Sequence, residues 1–92
     1  MPSSLHSPRY KVFRGLLVAA RQSSGLTQVE IAKKLDKPQS FVSKYELGER
    51  RLDFTEFLEI AHILPIDIAN FAEHYRSKIS QPPLRKARSI RT

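Results

Sequence analysis

The sequence predicts an all-α domain of five short helices. Three observations lead there. Apolar residues recur at three- and four-residue spacing, and no stretch alternates apolar with polar residues as a half-buried strand would. Gly25, Pro38, Gly48 and Pro65 punctuate the chain at intervals suited to helix boundaries. Thr27 with Glu30, and Asp53 with Glu56, form capping-box signatures where new helices should begin.

The elements follow in order. Residues 1–8, with two prolines and three serines, are expected to form a flexible leader. Helix 1 is expected from about Arg9 to Ser23, burying Val12, Phe13, Leu16, Leu17 and Ala20. Gly25 then suits a left-handed cap. Helix 2 starts at the Thr27 cap and turns Ile31, Ala32 and Leu35 inward. Asp36 and Lys37 make a turn, and Pro38 bars continuation of helix 2 while fitting the start of a new helix. Helix 3 is expected from Gln39 to Leu47, stopping at Gly48. Asp53 caps helix 4, whose apolar residues are Phe54, Phe57, Leu58, Ala61 and Leu64. After Pro65, helix 5 is expected from about Asp67 to Ser77, with a stripe of Ile68, Phe71, Ala72 and Tyr75. The folded domain is thus placed at residues 9–77, and residues 78–92 are expected to be a basic, disordered tail.

Composition narrows the function. Ninety-two residues make one small domain, and its net charge of +7 favours a polyanionic partner. That charge is uneven: from Ser77 onward the chain carries Lys78, Arg85, Lys86, Arg88 and Arg91 with no acid, leaving a mildly basic body. Without cysteine there can be no disulfide and no thiolate metal site. The longest apolar run, Leu16 to Ala20, is far too short to span a membrane, and the N-terminus lacks a secretory signal's apolar stretch. A cytoplasmic protein is expected. His6, His62 and His74 have no partner at metal-motif spacing, and Gly15, Gly25 and Gly48 form no phosphate loop. Glu56 and Glu59 read as helix carboxylates rather than an acid–base pair, so neither an enzyme nor a cofactor is expected.

The stretch from Thr27 to Glu46, TQVEIAKKLDKPQSFVSKYE, carries the most information. Gln28, the small Ala32, the β-branched Val42, and Glu46 followed by Gly48 stand at the positions of the Cro-type (XRE, lambda-repressor-like) helix-turn-helix family, which this chain resembles from about Arg9 to Tyr75. The turn departs from the pattern: Asp36 stands where that family usually has glycine, although aspartate tolerates the left-handed region better than most residues. The resemblance implies a compact lambda-repressor-like domain that binds double-stranded DNA, with helix 3 in the major groove. It implies a small transcriptional regulator, expected to be a repressor, acting as a homodimer on half-sites about 34 Å apart.

The residues fit that role. With Val42 and Tyr45 turned inward, Gln39, Ser40, Ser43 and Lys44 fall outward. Gln39 can pair bidentately with adenine, Ser40 can serve several bases, and Lys44 can reach guanine or a phosphate. Phe41 is the remaining base-reading candidate, through a thymine methyl, though packing competes for its ring. Phosphate contacts are expected from Thr27, Gln28 and the first amides of helix 2, from Ser43, Arg50 and Arg51, and from Arg21. Ile68, Phe71, Tyr75 and Ile79 offer a dimer face, or else pack over helix 1. Other readings stay open: an antitoxin-like or adaptor module whose basic tail grips a partner protein, or an RNA- or ribosome-associated co-factor.

Overall fold

The computed structural model describes residues 7–79. Residues 1–6 and 80–92 lie outside the described residues, and with them almost all of the expected leader and basic tail, including any partner-protein site there. Five helices in order make up the fold: α1 (Pro8–Ser24), α2 (Gln28–Leu35), α3 (Gln39–Leu47), α4 (Phe54–Ile63) and α5 (Ile68–Ile79).

Local chemistry explains the boundaries. α1 begins one residue before the expected start because the Ser7 hydroxyl accepts from the Tyr10 N–H at 3.1 Å. Pro8 occupies the first turn, where its missing N–H costs nothing. The capping box of α2 is complete: Thr27 Oγ1 accepts from the Glu30 N–H at 3.1 Å, and Glu30 Oε1 accepts from the Thr27 N–H at 2.8 Å. Asp36 sits in the left-handed region at φ 60° and ψ 44°. It ends α2 by sending its N–H to the Lys33 carbonyl at 3.1 Å while Lys37 N–H reaches Ala32 at 3.0 Å. Gly48 ends α3 in the same way at φ 83°. The positive φ favours glycine, and a Cβ there would stand 2.8 Å from Arg14 Nε and displace that guanidinium. The Asp53 capping box starts α4. Asp67 Oδ1 caps α5 by accepting from the Asn70 N–H at 3.0 Å, and α5 runs two residues beyond the expected Ser77.

The core lies between α1, α2, α3 and α4. Tyr45, Leu17, Ile31, Ile60 and Val42 are its fully buried side chains. Each contributes about 1.5–3 kcal/mol through burial. α3 packs on α2 and α1, α2 also meets α4, and α5 lies along α1. The aromatic rings of Phe13, Phe57 and Phe71 join α1, α4 and α5, with centroids 5.2 to 5.9 Å apart.

Several expected faces are corrected. In α1, Leu17 is fully buried, while Val12, Phe13, Leu16 and Ala20 are only partly covered. Tyr10, outside the expected stripe, is buried because its hydroxyl accepts from the Leu52 N–H at 3.0 Å. In α4 the buried line is Phe57, Ile60, Ala61 and Leu64, whereas Phe54 and Leu58 face outward at 68% and 37% exposure. A helix of ten residues rich in apolar side chains offers more than one possible stripe, and packing against α2 selects one. The α5 stripe divides: Phe71 is drawn into the ring cluster, Tyr75 is half-buried and Ile68 stays exposed.

Candidate nucleic-acid interface

Helices α2 and α3 and the loop to α4 form one face of the molecule. Three consecutive requirements place α3: Pro38 resets the backbone, the Asp36 turn redirects it, and Val42 and Tyr45 anchor it in the core. At about 100° per residue, the direction opposite Val42, Tyr45 and buried Glu46 is shared by Ser40, Lys44 and Leu47, with Ser43 at its edge. Gln39 projects at the N-terminal rim beside Gln28. Exposure agrees for Gln39, Ser40, Lys44 and Leu47, and Ser43 is half-buried. Leu47, 61% exposed, had drawn no attention as an outward-facing residue.

A polar chain runs beneath this face. Glu46 is 7% exposed, and its carboxylate accepts from Arg21 Nε at 2.7 Å, Arg21 Nη2 at 3.1 Å and Gln28 Nε2 at 2.9 Å. Because Gln28 must turn its amide nitrogen towards the carboxylate, its oxygen faces away and accepts from Gln39 Nε2 at 3.1 Å. The buried charge on α3 therefore orients an exposed amide on the same helix by way of α2. Arg14 Nη1 donates to the Glu46 carbonyl at 2.8 Å, placing a cation at the C-terminal end of α3, where the helix dipole favours it.

This arrangement reassigns three expected site residues. Arg21 is not a surface cation: its guanidinium is held by Glu46 and by the Leu26 carbonyl at 3.1 Å, with only 14% of the side chain exposed. Hydrogen bonding to Glu46 raises its pKa further, against the opposing effect of burial. Phe41 has its ring edge-on to Tyr45 at 5.7 Å and lies beneath Arg50 at 4.7 Å and Lys37 at 5.4 Å. It serves as a platform for cations rather than a free ring for a base. Arg50 forms a two-pronged pair with Glu56, at 3.0 and 2.8 Å, and also donates to the Arg51 carbonyl at 2.9 Å. That pair holds the Glu56 carboxyl below the usual range and braces the loop against α4.

The remaining expected residues stay on the face. The Thr27 hydroxyl oxygen accepts within the capping box, leaving its proton to donate outward. Gln28 is half-buried with its amide joined to Glu46 and Gln39. Arg51 has no carboxylate partner among the described residues, and its guanidinium stacks 4.8 Å over the Tyr10 ring. Sequence reasoning missed Lys37, which stands exposed just ahead of α3, and Arg14, whose role depends on the close approach of α1 to Gly48. It quoted Glu46 only as a motif position; nothing local marks that residue as the hub of a buried network.

Among the described residues no group of His, Asp or Glu side chains is placed to hold a metal ion, and no helix is long and apolar enough to cross a membrane.

Comparison with known proteins agrees with this geometry. A helix-turn-helix family model matches residues 17–71. Among solved structures, an XRE-family like protein from Pseudomonas syringae pv. tomato str. DC3000 is 39% identical, superposes with a TM-score of 0.74, and is matched over 82% of this chain and 92% of its own. Comparison with curated proteins returned no match. The match spans α2, α3 and the helices that hold them, and the chain belongs to the XRE-type helix-turn-helix family, with the fold of DNA-binding transcription regulators.

Proposed function

We propose that the protein binds double-stranded DNA sequence-specifically and acts as a small transcriptional repressor, with the N-terminal half of α3 in the major groove. The observation that carries this reading is the chain from Glu46 through Gln28 to Gln39. It spends one amide proton of Gln39 internally and leaves the other proton and the oxygen for a base. A donor beside an acceptor matches adenine N7 and N6. Ser40 and Lys44 extend the reading surface along the outward row. Lys37, Ser43, Arg51, the Thr27 hydroxyl and the first amides of α2 supply phosphate contacts that set register. Arg50 acts through the loop it braces. Cytoplasmic action as a homodimer on a palindromic site completes the proposal.

Selecting duplexes from a random pool at two salt concentrations tests it. The expected result is one enriched motif, symmetric about its centre, bound more weakly at the higher salt. Recovery of no motif, or tighter binding to RNA than to duplex DNA at matched salt, would overturn the reading. An enriched motif without symmetry would remove the homodimer alone.

A further inference from the structure

A groove of about 480 Å³ opens between α1, the start of α4 and α5, on a part of the surface distinct from the outward row of α3. That volume lies in the range of about 300–1,000 Å³ typical of small-molecule sites. Its walls are mostly apolar, and six of its lining residues are aromatic: Tyr10, Phe13, Phe54, Phe57, Phe71 and Tyr75. Phe54 is 68% exposed, with one side of its ring set against Phe57 at 6.3 Å between centroids.

Arg9 and Arg51 both line the groove, and neither has an ion-pair partner among the described residues. The Arg51 guanidinium stacks 4.8 Å over the ring of Tyr10, which also lines the groove. The single acid in the lining, Asp53, is engaged elsewhere, accepting from the Thr55 hydroxyl and the Glu56 N–H at 2.8 Å each. An apolar trough whose lining includes two arginines without ion-pair partners among the described residues complements an anion with an apolar body.

We propose that this groove binds a small amphipathic carboxylate, its apolar tail along the Phe54, Phe57 and Phe71 rings and its carboxylate between Arg9 and Arg51. Occupation has a consequence for DNA, which rests on the phosphate role proposed for Arg51. A carboxylate that holds Arg51 competes with a phosphate for the same guanidinium. The Tyr10 hydroxyl, bonded to the Leu52 N–H at 3.0 Å, ties the groove floor to the same loop. Ligand and DNA are therefore antagonists.

The test uses the full chain without DNA first. Sodium octanoate, well below its micelle concentration, is titrated while amide and aromatic NMR shifts are followed, with 1-octanol and acetate as controls. Saturable shifts at Tyr10, Phe13, Phe57 and Phe71 are expected, with 1-octanol binding on the order of tenfold more weakly and acetate not at all. Arg51→Gln and Arg9→Gln should each weaken octanoate several-fold, by roughly the value of one charge-assisted contact. Phe54→Ala, at an exposed position that leaves the core intact, should weaken octanoate and 1-octanol alike. Equal binding of 1-octanol and octanoate by the wild type overturns the carboxylate site. So does the absence of shifts, or light scattering that shows a dimer with these rings covered. Octanoate should then lower duplex affinity in the wild type but not in Arg51→Gln. Binding without that effect overturns the antagonism while leaving the site, and a failure to bind DNA at all leaves the titration unaffected.

Discussion

The two sides of α1 are built from different materials. Towards α3 it sends Arg14 and Arg21, which reach that helix through hydrogen bonds of 2.7 to 3.1 Å. Towards α4 and α5 it sends Phe13, whose ring meets Phe57 and Phe71, with Tyr10 against Phe13. The aromatic side gains its stability from buried area and tolerates adjustment of ring angles. The polar side bears the desolvation of a buried carboxylate and guanidinium, which is not an efficient source of net stability. Its return is direction: a hydrogen bond fixes which end of an amide faces out. Stability and aim are therefore separated across one helix.

Substitutions can break that contrast, and the largest effect is expected at Glu46. Glu46→Ala strands the Arg21 guanidinium and should cost about 3–5 kcal/mol. Urea unfolding measures it, and a loss below about 1 kcal/mol would mean that the pair behaves as an exposed one. On the other side, Phe71→Ala removes a half-buried ring and should cost about 2 kcal/mol, below the range for a fully buried phenylalanine. Its surviving folded fraction should select the same duplex motif as the wild type, since no aim is lost. A changed motif would show the two sides to be coupled.

The loop between α3 and α4 sharpens the contrast further. Arg51→Ala should weaken binding to all sequences and flatten the salt dependence by about 0.9 in log–log slope, as one lost phosphate contact does. Arg50→Ala should instead lower the melting temperature modestly, by loss of a partly exposed pair worth up to about 1 kcal/mol, with the slope little changed. The reverse pattern would exchange their roles.

The smallest effect concerns Tyr45, whose buried hydroxyl has no hydrogen-bond partner among the described residues. Burial pushes its phenol above the ordinary value of 10.0, so the unfolded chain releases this proton at lower pH than the folded one. The associated stability is intact below pH 10.0 and is lost as pH climbs from there towards the folded-state value. Tyr45→Phe should change neutral-pH stability by less than about 1 kcal/mol and should unfold at higher pH than the wild type in an alkaline titration. Coincident alkaline transitions would contradict this.

What was legible in the sequence was local. Thr27 with Glu30 and Asp53 with Glu56 state their bonds within four residues, and Asp36 announces a left-handed turn by what can adopt one. The XRE-type pattern likewise lies within a single stretch of chain. Hidden were contacts that need the fold before they exist. Arg21 and Glu46 are 25 residues apart, Arg14 reaches α3 from a different helix, and Tyr10 finds Leu52 across 42 residues. The same distance explains why Arg21 looked like a surface cation: a charged side chain reveals its partner only in three dimensions. For α4, two apolar stripes were compatible with the sequence, and the neighbouring helix decided between them.

In the proposed function the buried Glu46 carboxylate, acting through Gln28, aims the exposed Gln39 amide at a base. Parallel selection of duplexes by the wild type and by Gln39→Ala tests it most directly. A preference for adenine at one position of the motif should be lost in the variant, at a cost of about 1–3 kcal/mol there, with the other positions retained. The same motif enriched equally by both proteins would show that Gln39 reads nothing.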